Sequence, residues 1–172
     1  DTEGLKFDVN LADIEELNKW SIEGRMDVTK VSYSAFLLCK EEYIILDSGS
    51  ALGDNCGPIL VKKRHAIFNK RSMIAIPGEF TTANMLCSFV FPEHINKKVV
   101  LFSDIESCIL NDKADAGLLI HENRFTYQKK GLEKIKDLGE YWQEKTKLPI
   151  PLGGIVVKRK LDNAEKYKIQ RV

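Results

Sequence analysis

The stretch KADAGLLIHENRFTY, from Lys113 to Tyr127, carries the side chain best suited to proton chemistry near neutral pH. A short apolar run, Ala116 to Ile120, stops on His121, and Glu122, Arg124 and Tyr127 follow. Imidazole titrates close to neutrality, so a positioned histidine can take or give a proton in a reaction. Five apolar residues bounded by polar ones spell a buried strand, with His121 at its carboxyl tip. In open α/β sheets that tip faces the crevice where ligands bind. A lone histidine at a strand end is more often structural than catalytic, so position alone does not make it a base.

A second group lies in PGEFTTA, Pro77 to Ala83. Met73 to Ile76 reads as a strand, Pro77 and Gly78 break it, and Thr81, Thr82 and Ala83 open a helix carrying Met85, Leu86, Phe89 and Val90. One threonine is explained as an N-cap. The first N–H groups of a helix also carry the positive end of its dipole, so a carboxylate or phosphate fits there. Lys30 and Ser32 form a third group, at the end of the strand MDVTKV, and can hold such an anion from another turn. DSGSALGDNCGP, Asp47 to Pro58, is a loop without G-x-G-x-x-G or P-loop spacing. Its Cys56 would need a base that the sequence does not identify. Cys39, Cys87 and Cys108 sit in apolar segments as small hydrophobes, and the four cysteines are scattered without C-x-x-C pairs or histidines at metal spacing. His65 and His94 fall in loops with no assigned role.

The elements that must position these groups follow from periodicity. Leu5 to Val9 alternates as a strand, and Asn10 caps a helix carrying Leu11, Ile14, Leu17 and Ile22 to Gly24. Further strands are expected at Tyr43 to Leu46, Ile59 to Val61, Val99 to Phe102, Leu132 to Ile135 and Ile155 to Lys158. Helices are expected at Tyr33 to Lys40, Asp104 to Leu110, the segment GEYWQEKTK, and from Leu161 onward. With parallel sheets and helical crossovers, Ser32, Thr81/Thr82 and His121 come from three strand-to-helix turns on the carboxyl edges. Crossovers near 60–72 and 148–155 divide the chain into a first lobe, 1–64 plus 156–172, and a central lobe, 65–155, with a cleft facing both.

At 172 residues, 44% hydrophobic and 30% charged, the chain can bury a real core. Lysine and arginine number 26 against 25 acidic residues, so no global field points to nucleic acid or an anionic membrane as partner. No run approaches the roughly 18 apolar residues of a spanning helix, and DTEGLKFDVN has no signal core. Scattered thiols suit a reduced, cytoplasmic setting. Any ligand is expected to be a small molecule bearing a carboxylate or phosphate, held by local groups.

Five segments, LNKWSIEGRMDVTKVSYSA, SGSALGDNCGP, PGEFTTA, AGLLIHENRFTY and DLGEYWQEKTKLPIPLGG, in that order, resemble the 1,4-dihydroxy-6-naphthoate synthase family of the futalosine route to menaquinone. The resemblance implies an α/β, two-lobed fold like that of type II periplasmic binding proteins. It also implies a lyase that converts cyclic dehypoxanthinylfutalosine to 1,4-dihydroxy-6-naphthoate and dihydroxyacetone. In it His121 is the proton acceptor, Lys30, Val31 and Ser32 of TKVSY and Thr82 and Ala83 of TTA contact substrate, and no metal or organic cofactor takes part. Family members begin with a further strand and turn of the type SPCPNDTF and continue with several helices. The chain is therefore expected to lack the family's N-terminal strand and C-terminal helices, leaving apolar surface that favours homo-oligomers. Two alternatives share the fold: a non-catalytic solute-binding protein and the related chorismate dehydratase.

Overall fold

In the computed structural model the described residues are 2–54 and 56–172, and the side chain of His121 lies outside them. The first half runs α1 (Ile14–Ile22), β1 (Val28–Ser32), α2 (Tyr33–Cys39), β2 (Tyr43–Ile45), β3 (Ala51–Gly53), β4 (Ile59–Lys63), β5 (Ile74–Ile76) and α3 (Thr82–Val90). Then follow β6 (Lys97–Val99), α4 (Ile105–Leu110), β7 (Ala116–Leu119), β8 (Leu132–Asp137), α5 (Leu138–Thr146), β9 (Ile150–Lys158) and α6 (Asn163–Arg171). Short 3-10 turns occupy Phe102–Asp104, His121–Phe125 and Tyr127–Lys130. None of the described helices is long and apolar enough to cross a membrane.

The chain forms two compact units. One runs to Ala51 and resumes from Pro151 to Val172. Its sheet has the order β1-β9-β2, with β9 antiparallel to both neighbours (Val31↔Gly154, Ile44↔Val157) and β3 pairing β9 off that path. Parallel pairing was expected for β1; instead β9 returns against it. Val31, Ala35, Cys39, Tyr43, Leu46, Val156 and Val157 are buried there. Burying them supplies the main drive for folding, of the order of 1.5–3 kcal/mol for each large apolar side chain. A Cβ on Gly153 would stand 2.7 Å from the Val31 carbonyl oxygen, so only glycine allows β9 this close to β1.

The expected strand at Leu5 to Val9 is absent. Phe7 and Val9 are exposed, because no neighbouring strand pairs that segment. Asp13, not Asn10, caps α1, accepting from the N–H groups of Glu15 (2.8 Å) and Glu16 (3.2 Å). Leu11 therefore falls outside the helix at 93% exposure, and the face α1 buries is polar, with Glu15, Asn18 and Ser21.

The other unit, Leu52–Ile150, holds a five-stranded sheet of order β6-β5-β7-β4-β8. β5 is parallel to β6 and β7, while β4 is antiparallel to β7 and β8. Ile59, Val61, Ala75, Ile105, Ile109, Leu119, Tyr127 and Leu132 form one core cluster. Because β4 is bonded on both sides within this sheet, the chain divides at 51/52 and 150/151 rather than at 64/65 and 155/156.

Candidate active site

Register brings four segments to one edge of the second unit's sheet. β5 and β7 are parallel with Ala75 opposite Gly117, so their carboxyl ends emerge on the same side. Ile59 lies opposite both Leu119 and Asp137, which adds the start of β4 and the end of β8. The turn after β5 (Pro77 to Thr81), the turn after β7 (His121 onward), the Gly57-Pro58 approach to β4 and the Asp137 cap of α5 thus share an edge. The Leu138 N–H donates to the Pro58 carbonyl at 2.9 Å, and a Cβ on Gly57 would come within 2.8 Å of the Gly139 Cα. Two main chains touch there.

Of the two threonines expected to open the helix, Thr81 is the N-cap of α3. Its hydroxyl accepts from the Asn84 N–H at 3.2 Å and donates to the Gly78 carbonyl at 2.9 Å. Both functions of that hydroxyl serve the turn. Thr82 and Ala83 are buried in the first helical turn. A ligand at this edge thus meets the main-chain dipole of the helix start rather than the Thr81 hydroxyl.

His121 opens the 3-10 turn that follows β7, with Ile120 in extended conformation before it. Its backbone stands at the strand tip predicted from sequence. Arg124 anchors this turn: its guanidinium donates to Asp137 Oδ2 at 2.9 Å and to the Gly57 carbonyl. Asp137 in turn accepts with Oδ1 from the N–H groups of Gly139 (2.9 Å) and Glu140 (3.0 Å). One carboxylate therefore caps α5 and pins the turn that carries His121. Glu122 is exposed, and the ion pair of Arg124 is with Asp137. The sequence signal for Asp137 was present as D-x-x-E ahead of an apolar position, the pattern of a capped helix start. Its pairing with Arg124 had no signal in sequence spacing.

Lys30, Val31 and Ser32 belong to the other unit. Lys30 is exposed on β1, whereas Val31 is a core residue and can offer a ligand only its main chain. Ser32 ends β1 and caps α2; its hydroxyl accepts from the Ala35 N–H and donates to Asn18 Oδ1, each at 3.2 Å. Asn18 Oδ1 also accepts the Ser32 N–H at 2.9 Å. Asn18 is fully buried and was not singled out from sequence, where its neighbours on the helix drew attention as the apolar face. Of the predicted residues, the structure thus brings Thr81, Thr82, Ala83 and the His121 backbone to one sheet edge. Lys30 to Ser32 it places together at the end of β1.

Cys39, Cys87 and Cys108 are buried and Cys56 is half-buried. Burial pushes the Cys39 and Cys87 thiols up, so they stay protonated near neutral pH. Among the described residues no cluster of three or more His, Cys, Asp or Glu could hold a metal ion.

The chain is 40% identical over 151 residues to a 1,4-dihydroxy-6-naphthoate synthase of Thermus thermophilus, covering 88% of this chain and 55% of that one. A synthase of the same name from Streptomyces coelicolor is 39% identical over 160 residues, covering 90% and 57%. The chain thus spans little more than half the length of these relatives. A crystal structure of a protein from Archaeoglobus fulgidus matches with a TM-score of 0.87 and 37% identity, over 93% of this chain and 60% of that one. The ligand-binding component of an ABC-type import system from Staphylococcus aureus, at 12% identity, covers 94% and 58% with a TM-score of 0.68. That likeness places the mixed α/β fold with those of solute-binding proteins. The family described as menaquinone biosynthesis matches residues 2–172, and the chain belongs to it.

Proposed function

We propose that the protein to which this chain belongs is a carbon–carbon lyase, converting cyclic dehypoxanthinylfutalosine to 1,4-dihydroxy-6-naphthoate and dihydroxyacetone. The observation that carries this is the shared edge of the second unit, where a helix start suited to an anion and a histidine at a strand tip stand together. The two synthases at 39–40% identity support the same reading. In it the start of α3, at Thr81, Thr82 and Ala83, holds the substrate carboxylate, and Lys30, Val31 and Ser32 contribute further contacts. Neutral His121 takes a proton from a substrate hydroxyl or acidic C–H. A retro-aldol-like opening follows, driven by aromatisation of the product.

The test is incubation of the full-length protein with cyclic dehypoxanthinylfutalosine, following naphthoate by absorbance. Wild type should turn over, and His121→Ala should lose at least about 100-fold in kcat, the low end for a general base. Retained turnover in that variant removes His121 from the mechanism. Binding without product favours the solute-binding alternative, and consumption of chorismate instead favours the dehydratase.

A further inference from the structure

Asn84, the third residue of α3, reaches back to the turn from Gly78 to Thr81. Its Nδ2 donates to the Glu79 carbonyl at 2.7 Å, and its main-chain N–H donates to Thr81 Oγ1 at 3.2 Å. Its Oδ1 accepts from Lys97 Nζ at 2.7 Å. Lys97, at the start of β6, also donates to Ser88 Oγ at 2.6 Å, and Ser88 donates to the Asn84 carbonyl at 3.0 Å. Among the described residues Lys97 has no carboxylate partner within 4.0 Å, so its charge acts on these neutral oxygens.

The chemistry of the two ends fixes the residue type between them. An ammonium can only donate and a main-chain carbonyl can only accept. The side chain that joins Lys97 to the Glu79 carbonyl must therefore present an acceptor on one side and a donor on the other. A carboxamide does this and a carboxylate does not. Lys97 also sets which way the amide faces, and the charge strengthens the bond it makes.

We infer that Asn84 is a positioning residue: its carboxamide, oriented by Lys97, fixes the Gly78–Thr81 turn and so the aim of the α3 start at an anion. This rests on the proposed function for its consequence in turnover but not for its effect on the turn. Asn84→Asp separates the two. An aspartate at the third helical position favours the dipole and pairs with Lys97, so α3 keeps or gains stability. It loses the donor to Glu79 and sets two oxygens against each other, so the turn alone loosens. Asn84→Leu, of similar size and uncharged, removes both side-chain bonds without placing a negative charge beside the substrate.

In the full-length protein, amide hydrogen exchange at Glu79–Thr82 should speed up about tenfold in both variants. That is the worth of roughly 1.4 kcal/mol, within the range for one hydrogen bond. Asn84→Asp should keep a melting temperature at or above wild type while kcat/KM falls about tenfold, and Asn84→Leu should lose a similar factor in kcat/KM. Unchanged exchange in Asn84→Asp overturns the inference, as does wild-type kcat/KM alongside faster exchange. If wild type has no lyase activity the proposed function falls, and the exchange result still decides whether Asn84 holds the turn.

Discussion

The pair Arg124–Asp137 ties the His121 turn to the body of its unit, and its removal should be expensive in a defined way. The carboxylate is 3% exposed and the guanidinium 14%. Asp137→Asn keeps Oδ1, which can still accept from Gly139 and Glu140, but turns an amide donor toward a guanidinium donor. The α5 cap survives and the ion pair does not. Leaving one charge of a buried pair uncompensated costs about 3 kcal/mol at this depth. Arg124→Met strands the other partner and should cost a similar amount. The double variant removes both charges, so it should be about 2 kcal/mol more stable than the sum of the single losses predicts. Trp142, in α5, reports on this unit, and Trp20→Phe silences the other tryptophan. With a urea slope of about 1.5 kcal/mol per M, each single variant should shift the midpoint down by about 2 M. Singles that each lose less than about 1 kcal/mol, or a double as costly as their sum, would refute the reasoning.

Two further outcomes are expected. Burial, with Cys39 and Asp27 adding to it, pushes the Tyr43 hydroxyl from 10.0 up to about 12. The folded protein then holds a proton that the unfolded chain releases, so the first unit should lose stability from about pH 10 to 12 and keep it below. Tyr43→Phe removes the hydroxyl that donates to the Met26 carbonyl at 2.6 Å. It should cost about 1 kcal/mol at pH 7 and flatten that alkaline slope, measured by urea melts across pH. Gly117→Ala would put a methyl 2.5 Å from Ile105 Cγ2 and 2.9 Å from Ile109 Cδ1. Overpacking between β7 and α4 should cost about 1–3 kcal/mol, read as a lower melting temperature.

Where the sequence was read correctly, local and tertiary preferences agreed. A threonine cap at the start of α3 was legible because a Pro-Gly break precedes it and an apolar stripe follows. The run Ala116–Leu119 was legible because a fully buried strand needs apolar residues on both faces. The misreadings came where pairing overrides composition. LPIPLGG was read as a non-helical crossover leading into a strand at Ile155, yet β9 already begins at Ile150. Pro151 lies beyond the rungs that β9 shares with β1, so its missing N–H costs that ladder nothing. The strand Ala51–Gly53 was hidden in a glycine-rich loop for the same reason. Leu5 to Val9 alternates, but alternation without a partner makes no strand. The direction of β1 could not be read at all, since periodicity is the same for parallel and antiparallel neighbours. At the candidate site, His121 and the helix start were visible as residue types at element ends. Arg124, Asp137 and Asn84 act through contacts between segments that periodicity does not link.

The path of β9 has a consequence for synthesis. Its partners in β1 are about 130 residues earlier in the chain, as Val28 opposite Val157 shows, and it is the strand that joins β1 to β2. The unit from Leu52 to Ile150 is continuous, and its five-stranded sheet has all five strands before Ile150 emerges. Among the described strands, the one that joins β1 to β2 comes only after the ribosome has added roughly 100 residues beyond Ala51, about 5 to 20 s at ordinary elongation rates. During that interval β1 and β2 lack β9, and Val156 and Val157 are missing from the unit's buried set. A nascent chain arrested before Pro151 should therefore present the first unit, not the second, to chaperones and proteases.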